Sequence, residues 1–353
     1  MPCAYKFYSS GQYFDEIIRL ANAAKKGDRI ALAALSFKAE EPKIKEVMKS
    51  LSAAAKRGAR VSLAVDAYTF LSADETLRPG PLFWRRGLNN RMPPRFYSQL
   101  HALENFKASG GRYVITNLPS RRLSLPFTGR SHIKYAIFND QLFIGGCNLR
   151  SSQNIDVMVG WQDKNAADWL YSLSEKIADT GYVRQALHDS DITHPLSDGS
   201  KLIFDCGVPG QSAIYREALR MIDAAKESIF LACQYHPNST TLKHLALAVK
   251  RGVEVNVVYN DSYKKGVIRG SARYAAVLRE RLRAPAVLFE GKLPKNTGYL
   301  HAKLLVTDAG TIIGSHNFIP AGVNFGTAEI ALLSHDHDFG HAALESLKKQ
   351  YLK

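Results

Sequence analysis

The feature that most restricts the fold is that the sequence is written twice. FDEIIRLANAAKKGDRIALAALSF (14–37) is matched by YREALRMIDAAKESIFLACQYH (215–236). In each, apolar residues recur with a helical rhythm up to an Ala-Ala-Lys and then run together as a strand. LSAAAKRGARVSLAVDAY (51–68) is matched by LALAVKRGVEVNVVYNDS (245–262), again helix, Lys-Arg-Gly, strand. Gly58 and Gly252 fall where a helix C-terminus calls for glycine. The third pair is SHIKYAIFNDQLFIGGCN (131–148) and LHAKLLVTDAGTIIGSHN (300–317). It sets His132 against His301, Lys134 against Lys303, Gly145 against Gly314 and Asn148 against Asn317, all 169 positions apart. The two earlier pairs are 201 and 194 positions apart, so connecting segments differ in length while the order of elements holds. A repeat of this kind is one supersecondary unit used twice.

Each unit reads helix, strand, helix, strand, variable segment, strand–turn–strand, helix. Strands alternating with helices predict an α/β fold with a largely parallel sheet covered by helices, one sheet per half, the halves related by a pseudo-twofold axis. Pro, Ser, Asp and Gly cluster in SDITHPLSDGS (190–200), which places the boundary there: an N-terminal half over 1–195 and a C-terminal half over 196–353, sharing one site. The segment RPGPLFWRRGLNNRMPPRFYSQ (78–99) has no counterpart and reads as a long surface loop.

On an extended strand, residues i and i+2 face the same side. His132 therefore projects with Lys134, and His301 with Lys303. The return strand of each hairpin brings Asn148 or Asn317 back toward its histidine, and Gly145, Gly146, Gly314 and Ser315 offer backbone for a phosphate to approach. Two imidazoles, two ammonium groups and two amides around one axis are the parts that displacement at a phosphodiester needs. One histidine attacks phosphorus and the other protonates the leaving oxygen, while the lysines and asparagines stabilise the non-bridging oxygens. Each imidazole needs an acceptor on its other nitrogen. Asp156, 24 residues after His132, and Glu329, 28 residues after His301, are the acids flanked by apolar residues that suit this. No carboxylate cluster suggests a metal, and no cofactor is expected.

These residues resemble the phospholipase D superfamily, whose signature is His-x-Lys, four residues, Asp, then Gly-Ser/Gly-x-Asn. The second copy fits with His301, Lys303, Asp308, Gly314, Ser315 and Asn317; the first has Asn139 in place of the Asp, with Asp140 next to it. Within the superfamily, SGGRYVITNLPSRRLSLPFTGRSHIK (109–134), Gly-Gly-Cys-Asn and DVMVGW are similar to the cardiolipin-synthase-like branch. The resemblance implies phosphatidyl transfer through a phosphohistidine, with His132 as nucleophile and His301 as acid. It also implies that the Asp of the motif is structural.

The net charge of +15 favours a polyanionic partner. The expected one is an anionic phospholipid or membrane surface, with a metal-independent nuclease acting on DNA or RNA as the second reading and an inactive lipid- or nucleic-acid-binding module as the third. No obligate protein partner is implied. The N-terminus shows no signal-peptide pattern, the sequence has no uninterrupted apolar run of membrane-spanning length, and the four cysteines lie far apart. A cytoplasmic protein that touches the membrane peripherally is expected. HDHDFGH (335–341) reads as a solvated loop rather than a metal cluster, His316 as a lining residue, His236 as a loop residue, and LESLKKQYLK as a packed amphipathic helix. The Trp84, Arg85, Arg86 and Arg91 of the long loop suit either a membrane interface or a single strand.

Overall fold

The computed structural model describes residues 4–71, 82–83, 96–120, 123, 125, 128–259, 279, 281–284, 286–290 and 298–351. Most of the 78–99 segment, including Trp84, Arg85, Arg86 and Arg91, lies outside them. The first half runs β1 (Lys6–Tyr8), α1 (Ser10–Ala23), β2 (Arg29–Ala34), α2 (Pro42–Lys56), β3 (Arg60–Asp66), α3 (Tyr68–Leu71), α4 (Tyr97–Ala108), β4 (Arg112–Thr116), β5 (Tyr135–Phe138), β6 (Gln141–Gly145), β7 (Met158–Gln162), α5 (Lys164–Thr180) and α6 (Val183–Ala186). The second runs β8 (Ile192–Pro195), β9 (Lys201–Asp205), α7 (Ala213–Ala224), β10 (Ser228–Cys233), α8 (Ser239–Lys250), β11 (Glu254–Tyr259), β12 (Leu288–Glu290), β13 (Leu304–Thr307), β14 (Gly310–Gly314), α9 (Pro320–Asn324), β15 (Glu329–Ser334) and α10 (His337–Tyr351).

Among the described residues, the first sheet is ordered β1-β7-β6-β5-β2-β3-β4 and the second β8-β9-β15-β14-β13-β10-β11-β12. With β8 set aside, the two orders correspond strand for strand, so the repeat seen in the sequence is a repeat of topology. β8 already belongs to the second sheet. The α/β reading stands, but the sheets are mixed rather than largely parallel. Only β2–β3–β4 and β10–β11–β12 pair in parallel, while the hairpins and their neighbours pair antiparallel. The reason is connection length: a tight turn can join only antiparallel neighbours, and a helical crossover is needed for parallel ones.

Local signals explain the frame. Ser9 and Gln12 form a capping box at the start of α1, whose Tyr13, Phe14, Ile17 and Ala21 face inward. Ser212 caps α7 by accepting the Tyr215 N–H at 2.9 Å. Gly58 and Gly252 follow α2 and α8 with φ of 92° and 90°, the conformation that glycine alone adopts without strain. One apolar cluster joins the halves. Tyr135, Ile137, Ile144 and Trp161 of the first sheet share it with Phe204, Leu304, Ile313 and Ile330 of the second, and α5 and α10 pack into it. Separate clusters lie under α1, α2 and α4, and under α7 and α8. The shared core fixes how one hairpin faces the other. Among the described residues, no helix is long and apolar enough to cross a membrane.

Candidate active site

His132–Lys134 and His301–Lys303 sit just before β5 and β13, in extended lead-ins rather than in the strands where the sequence placed them. Each lead-in is tied to the opposite half. Ser131 bridges Ala328, and His132 N–H donates to the Ala328 carbonyl at 2.8 Å. Ile155 bridges Leu300, and His301 N–H donates to the Ile155 carbonyl at 2.8 Å. At the far end of each hairpin the turn residue holds the neighbouring strand. Asp308 accepts the N–H groups of Lys226, Glu227 and Ser228 at 2.9–3.2 Å. Asn139, at φ 55°, accepts the N–H of Arg29 at 2.9 Å. An amide oxygen suffices for that bond, and Asn tolerates left-handed backbone. The departure from Asp in the first motif thus leaves the turn intact.

The acids cross over. His132 Nδ1 lies 2.9 Å and 3.0 Å from the two carboxylate oxygens of Glu329, which belongs to the second half. His301 Nδ1 lies 2.8 Å from Asp156 Oδ2, which belongs to the first. Spacing along the chain suggested one acid per half and gave no means of seeing the exchange. In both pairs the carboxylate accepts a hydrogen bond from Nδ1–H, so Nε2 is the nitrogen that each imidazole turns away from its acid. Lys134 and Lys303 donate from Nζ to the carbonyls of His132 and His301. Each lysine is thereby folded back onto its own histidine's backbone.

All six of these side chains are buried. Burial pulls both histidines down: His132 falls well below its ordinary value and His301 to about 3, with the neighbouring ammonium groups adding to the effect. Lys134 is lowered to about 7 and Lys303 to about 8, again by burial first. Burial raises Glu329, opposed by His316 and the two lysines. The site is a buried cluster of lysine, imidazole and amide groups beside two carboxylates, its lysines held at reduced charge, which suits an incoming anion.

The remaining expected residues fall as follows. Asn148 Oδ1 accepts the Ser36 N–H at 3.3 Å. Asn317 Oδ1 is buried with no hydrogen-bond partner among the described residues. Ser315 Oγ, a residue expected to bind phosphate, donates to Glu329 Oε2 and so holds the acid of the His132 pair. The glycines expected to admit a phosphate also make room for the chain itself. A Cβ at Gly145 would sit 2.2 Å from the Val157 carbonyl, at Gly146 2.0 Å from Asp156 Oδ1, and at Gly314 2.3 Å from the Ile330 carbonyl. Gly146→Ala therefore displaces the Asp156 carboxylate, and we expect it to cost activity on the scale of losing an orienting carboxylate, about 10²–10⁴-fold. Steady-state rates for Gly146→Ala and Asp156→Ala should agree within a few-fold; a fully active Gly146→Ala refutes the packing argument.

Sequence reading missed a supporting cluster beside the first motif. Buried Asp66, at the end of β3, accepts the N–H groups of Ser131 at 2.8 Å and Tyr68 at 2.7 Å and the Asn117 amide at 2.8 Å. Arg130 joins it at 3.4 Å. An acid ending an apolar strand was the available signal. His316 lies buried against Tyr215 and Phe318, its Nδ1 accepting the Phe318 N–H at 2.9 Å. His236 is buried edge-on to Tyr259. In HDHDFGH, residues from His337 onward form the first turns of α10 rather than a loop. Among the described residues, no group of three or more His, Cys, Asp or Glu is placed to hold a metal ion.

Residues 218–350 match the family described as cardiolipin synthase, PLD-like domain. No curated protein sequence matches the chain. Phosphatidylserine synthase of Haemophilus influenzae superposes with a TM-score of 0.72 at 14% identity, covering 98% of this chain and 85% of that one. Polyphosphate kinase of Porphyromonas gingivalis superposes with a TM-score of 0.59 at 14% identity, covering 99% of this chain and 50% of that one. At such identities the two solved structures show the shared fold.

Proposed function

We propose that the chain is a member of the phospholipase D superfamily that transfers or hydrolyses the phosphatidyl group of an anionic glycerophospholipid, without a metal, through a phosphohistidine; its two motifs and the family match over residues 218–350 support this reading. The observation that carries this reading is the pair of imidazoles, each with Nδ1 held by a buried carboxylate of the opposite half. Nε2 of His132 attacks phosphorus as the bond to the leaving alcohol breaks, and His301, which takes up a proton on Nε2 when the anionic substrate binds, gives that proton to the alcohol. His301 then takes a proton from the acceptor, water or an alcohol, as the acceptor oxygen displaces His132 from phosphorus. Lys134, Lys303, Asn148 and Asn317 stabilise charge on the non-bridging oxygens. Lipid as substrate is supported by the cardiolipin synthase description of the matching family and by the phosphatidylserine synthase sharing the fold. The net charge of +15 suits an anionic membrane surface.

The test is turnover in EDTA of radiolabelled phosphatidylglycerol in mixed micelles, beside a fluorescent single-stranded oligonucleotide. Headgroup release or exchange on the lipid supports the proposal. Cleavage of the oligonucleotide alone overturns it in favour of a nuclease.

The same chemistry sets a pH effect. In the empty site Lys134 and Lys303 have values of about 7 and 8, and His301 about 3. A bound anion raises all three, because the charged forms gain a partner. Binding should therefore take up protons near pH 8, and affinity should fall as pH rises through that region. Sulfate, which does not itself titrate there, is the probe. Calorimetry in two buffers of different ionisation enthalpy should show uptake on the order of one proton per sulfate. Sulfate binding with no proton uptake would contradict the reduced charge of the empty site.

A further inference from the structure

The last helix, α10, packs Phe339 against Tyr5 and Phe7 of the first half and also reaches that half with a polar side chain, Gln350. Gln350 Nε2 donates to the carbonyl of Asp156 at 2.9 Å, and Gln350 Oε1 accepts the Asp156 N–H at 3.3 Å. The amide also donates to the Ser346 carbonyl of its own helix at 3.2 Å, which steadies its direction. One side chain thus satisfies both backbone groups of the residue whose carboxylate holds His301.

The other acid needs no such clamp. Glu329 opens β15, and its backbone lies in the ladder opposite Asp205 of β9. Its carboxylate is also held by the Ser315 hydroxyl. Asp156 has neither support. It precedes β7, which begins at Met158, and the residue matching Ser315 is Gly146, which has no hydroxyl. The carboxylate of Asp156 keeps its aim through the Val157 N–H at 3.0 Å, through contact with Gly146, and through the fixed backbone beneath it. A side chain rotates about whatever its backbone presents, so a slack Asp156 would leave His301 free to turn or change tautomer.

We propose that Gln350 is a positioning residue for His301: by clamping the Asp156 backbone from the opposite half it fixes the carboxylate that fixes the imidazole. The inference rests on the reading of His301 as the acid–base group. The two copies of the motif are then braced by different means, one by a hydroxyl within the hairpin and one by an amide from the last helix.

The experiment compares Gln350→Met, which keeps the length and loses both bonds, with Gln350→Glu, which keeps an acceptor for the Asp156 N–H. In the wild-type background, kcat should fall about tenfold in Gln350→Met, the scale seen when a partner behind a reacting group is removed. KM should stay within about twofold, since the substrate's own contacts are untouched. Gln350→Glu should fall between. In an Asp156→Asn background, Gln350→Met should cost nothing further, because the group it acts through is already gone. Independently of turnover, nitrogen-15 histidine NMR should show a hydrogen-bonded Nδ1–H for His301 that exchanges faster in Gln350→Met. A variant that lowers the melting temperature yet keeps kcat and the His301 signal overturns the proposal, as does a full additional loss on top of Asp156→Asn. A wild-type protein that turns over no phosphodiester, but whose His301 signal depends on Gln350, refutes the catalytic reading and leaves the positioning role standing.

Discussion

His132→Ala and His301→Ala should each lower turnover by on the order of 10⁴-fold or more, the scale set when a member of a covalent catalytic unit is removed. The expected losses are similar because a displacement at phosphorus needs both the attacking nitrogen and the proton donor. The double variant should be little worse than either single one, since residues acting as a unit are strongly non-additive. Folding should survive. Both imidazoles are buried and held neutral by burial, so their removal deletes their bonds to the facing carboxylates and leaves a small cavity; the carboxylate left behind costs more than the ~1–3 kcal/mol of an unpaired neutral group. Circular dichroism and thermal unfolding check the fold, and single-turnover assays check the chemistry. Trapping with acid should capture labelled protein for one histidine variant and not for the other, which assigns the nucleophile. Near-normal turnover in either variant ends the two-histidine mechanism.

The second large effect follows from the crossing of the acids. Asp156→Asn should damage the histidine 145 positions away in the other half, His301, rather than the nearer His132. Glu329→Gln should in turn damage His132, 197 positions away. An amide in place of the carboxylate can stabilise the wrong tautomer and no longer balances the imidazolium, and kcat should drop by about 10²–10⁴-fold with the fold unchanged. Coupling energies separate the pairs. In double-mutant cycles, Asp156→Asn should interact with His301→Ala and add independently to changes confined to Ser315, while Glu329→Gln should couple to both His132 and Ser315. Because turnover couples the two histidines as a unit, the cycles are read in thermal stability, where coupling within each half, Asp156 with His132 and Glu329 with His301, would contradict the pairing.

What the sequence disclosed was what repeats in register. His132, Lys134 and Asn148 could be found because His301, Lys303 and Asn317 recur at one spacing, and such recurrence is hard to reach by chance. The mixed sheets were also implicit, since a strand–turn–strand unit can pair only antiparallel, yet the alternation of strands and helices drew the reading toward parallel ones. The crossed acids were hidden for a physical reason: Asp156 and Glu329 each follow a hairpin, and nothing in their spacing says which imidazole they meet. That is settled by the shared core between the sheets. The glycines signalled close approach, and at Gly145, Gly146 and Gly314 the chain itself comes near, a neighbour that spacing along the sequence does not reveal. Gln350 gave no signal at all, because a polar residue on an amphipathic helix is ordinary until its partner is seen.

The exchange of acids has a consequence for ancestry. A single copy of this unit would carry an imidazole and a carboxylate that cannot reach each other. It would be silent alone and competent only as a symmetric pair, each chain orienting its partner's histidine. Joining two such copies in one polypeptide removes the requirement that they stay identical. The differences between the halves then become intelligible as freedom used: Asn139 against Asp308, Gly146 against Ser315, Asp156 against Glu329. Symmetric partners must attack and donate interchangeably, whereas a fused pair can divide the labour.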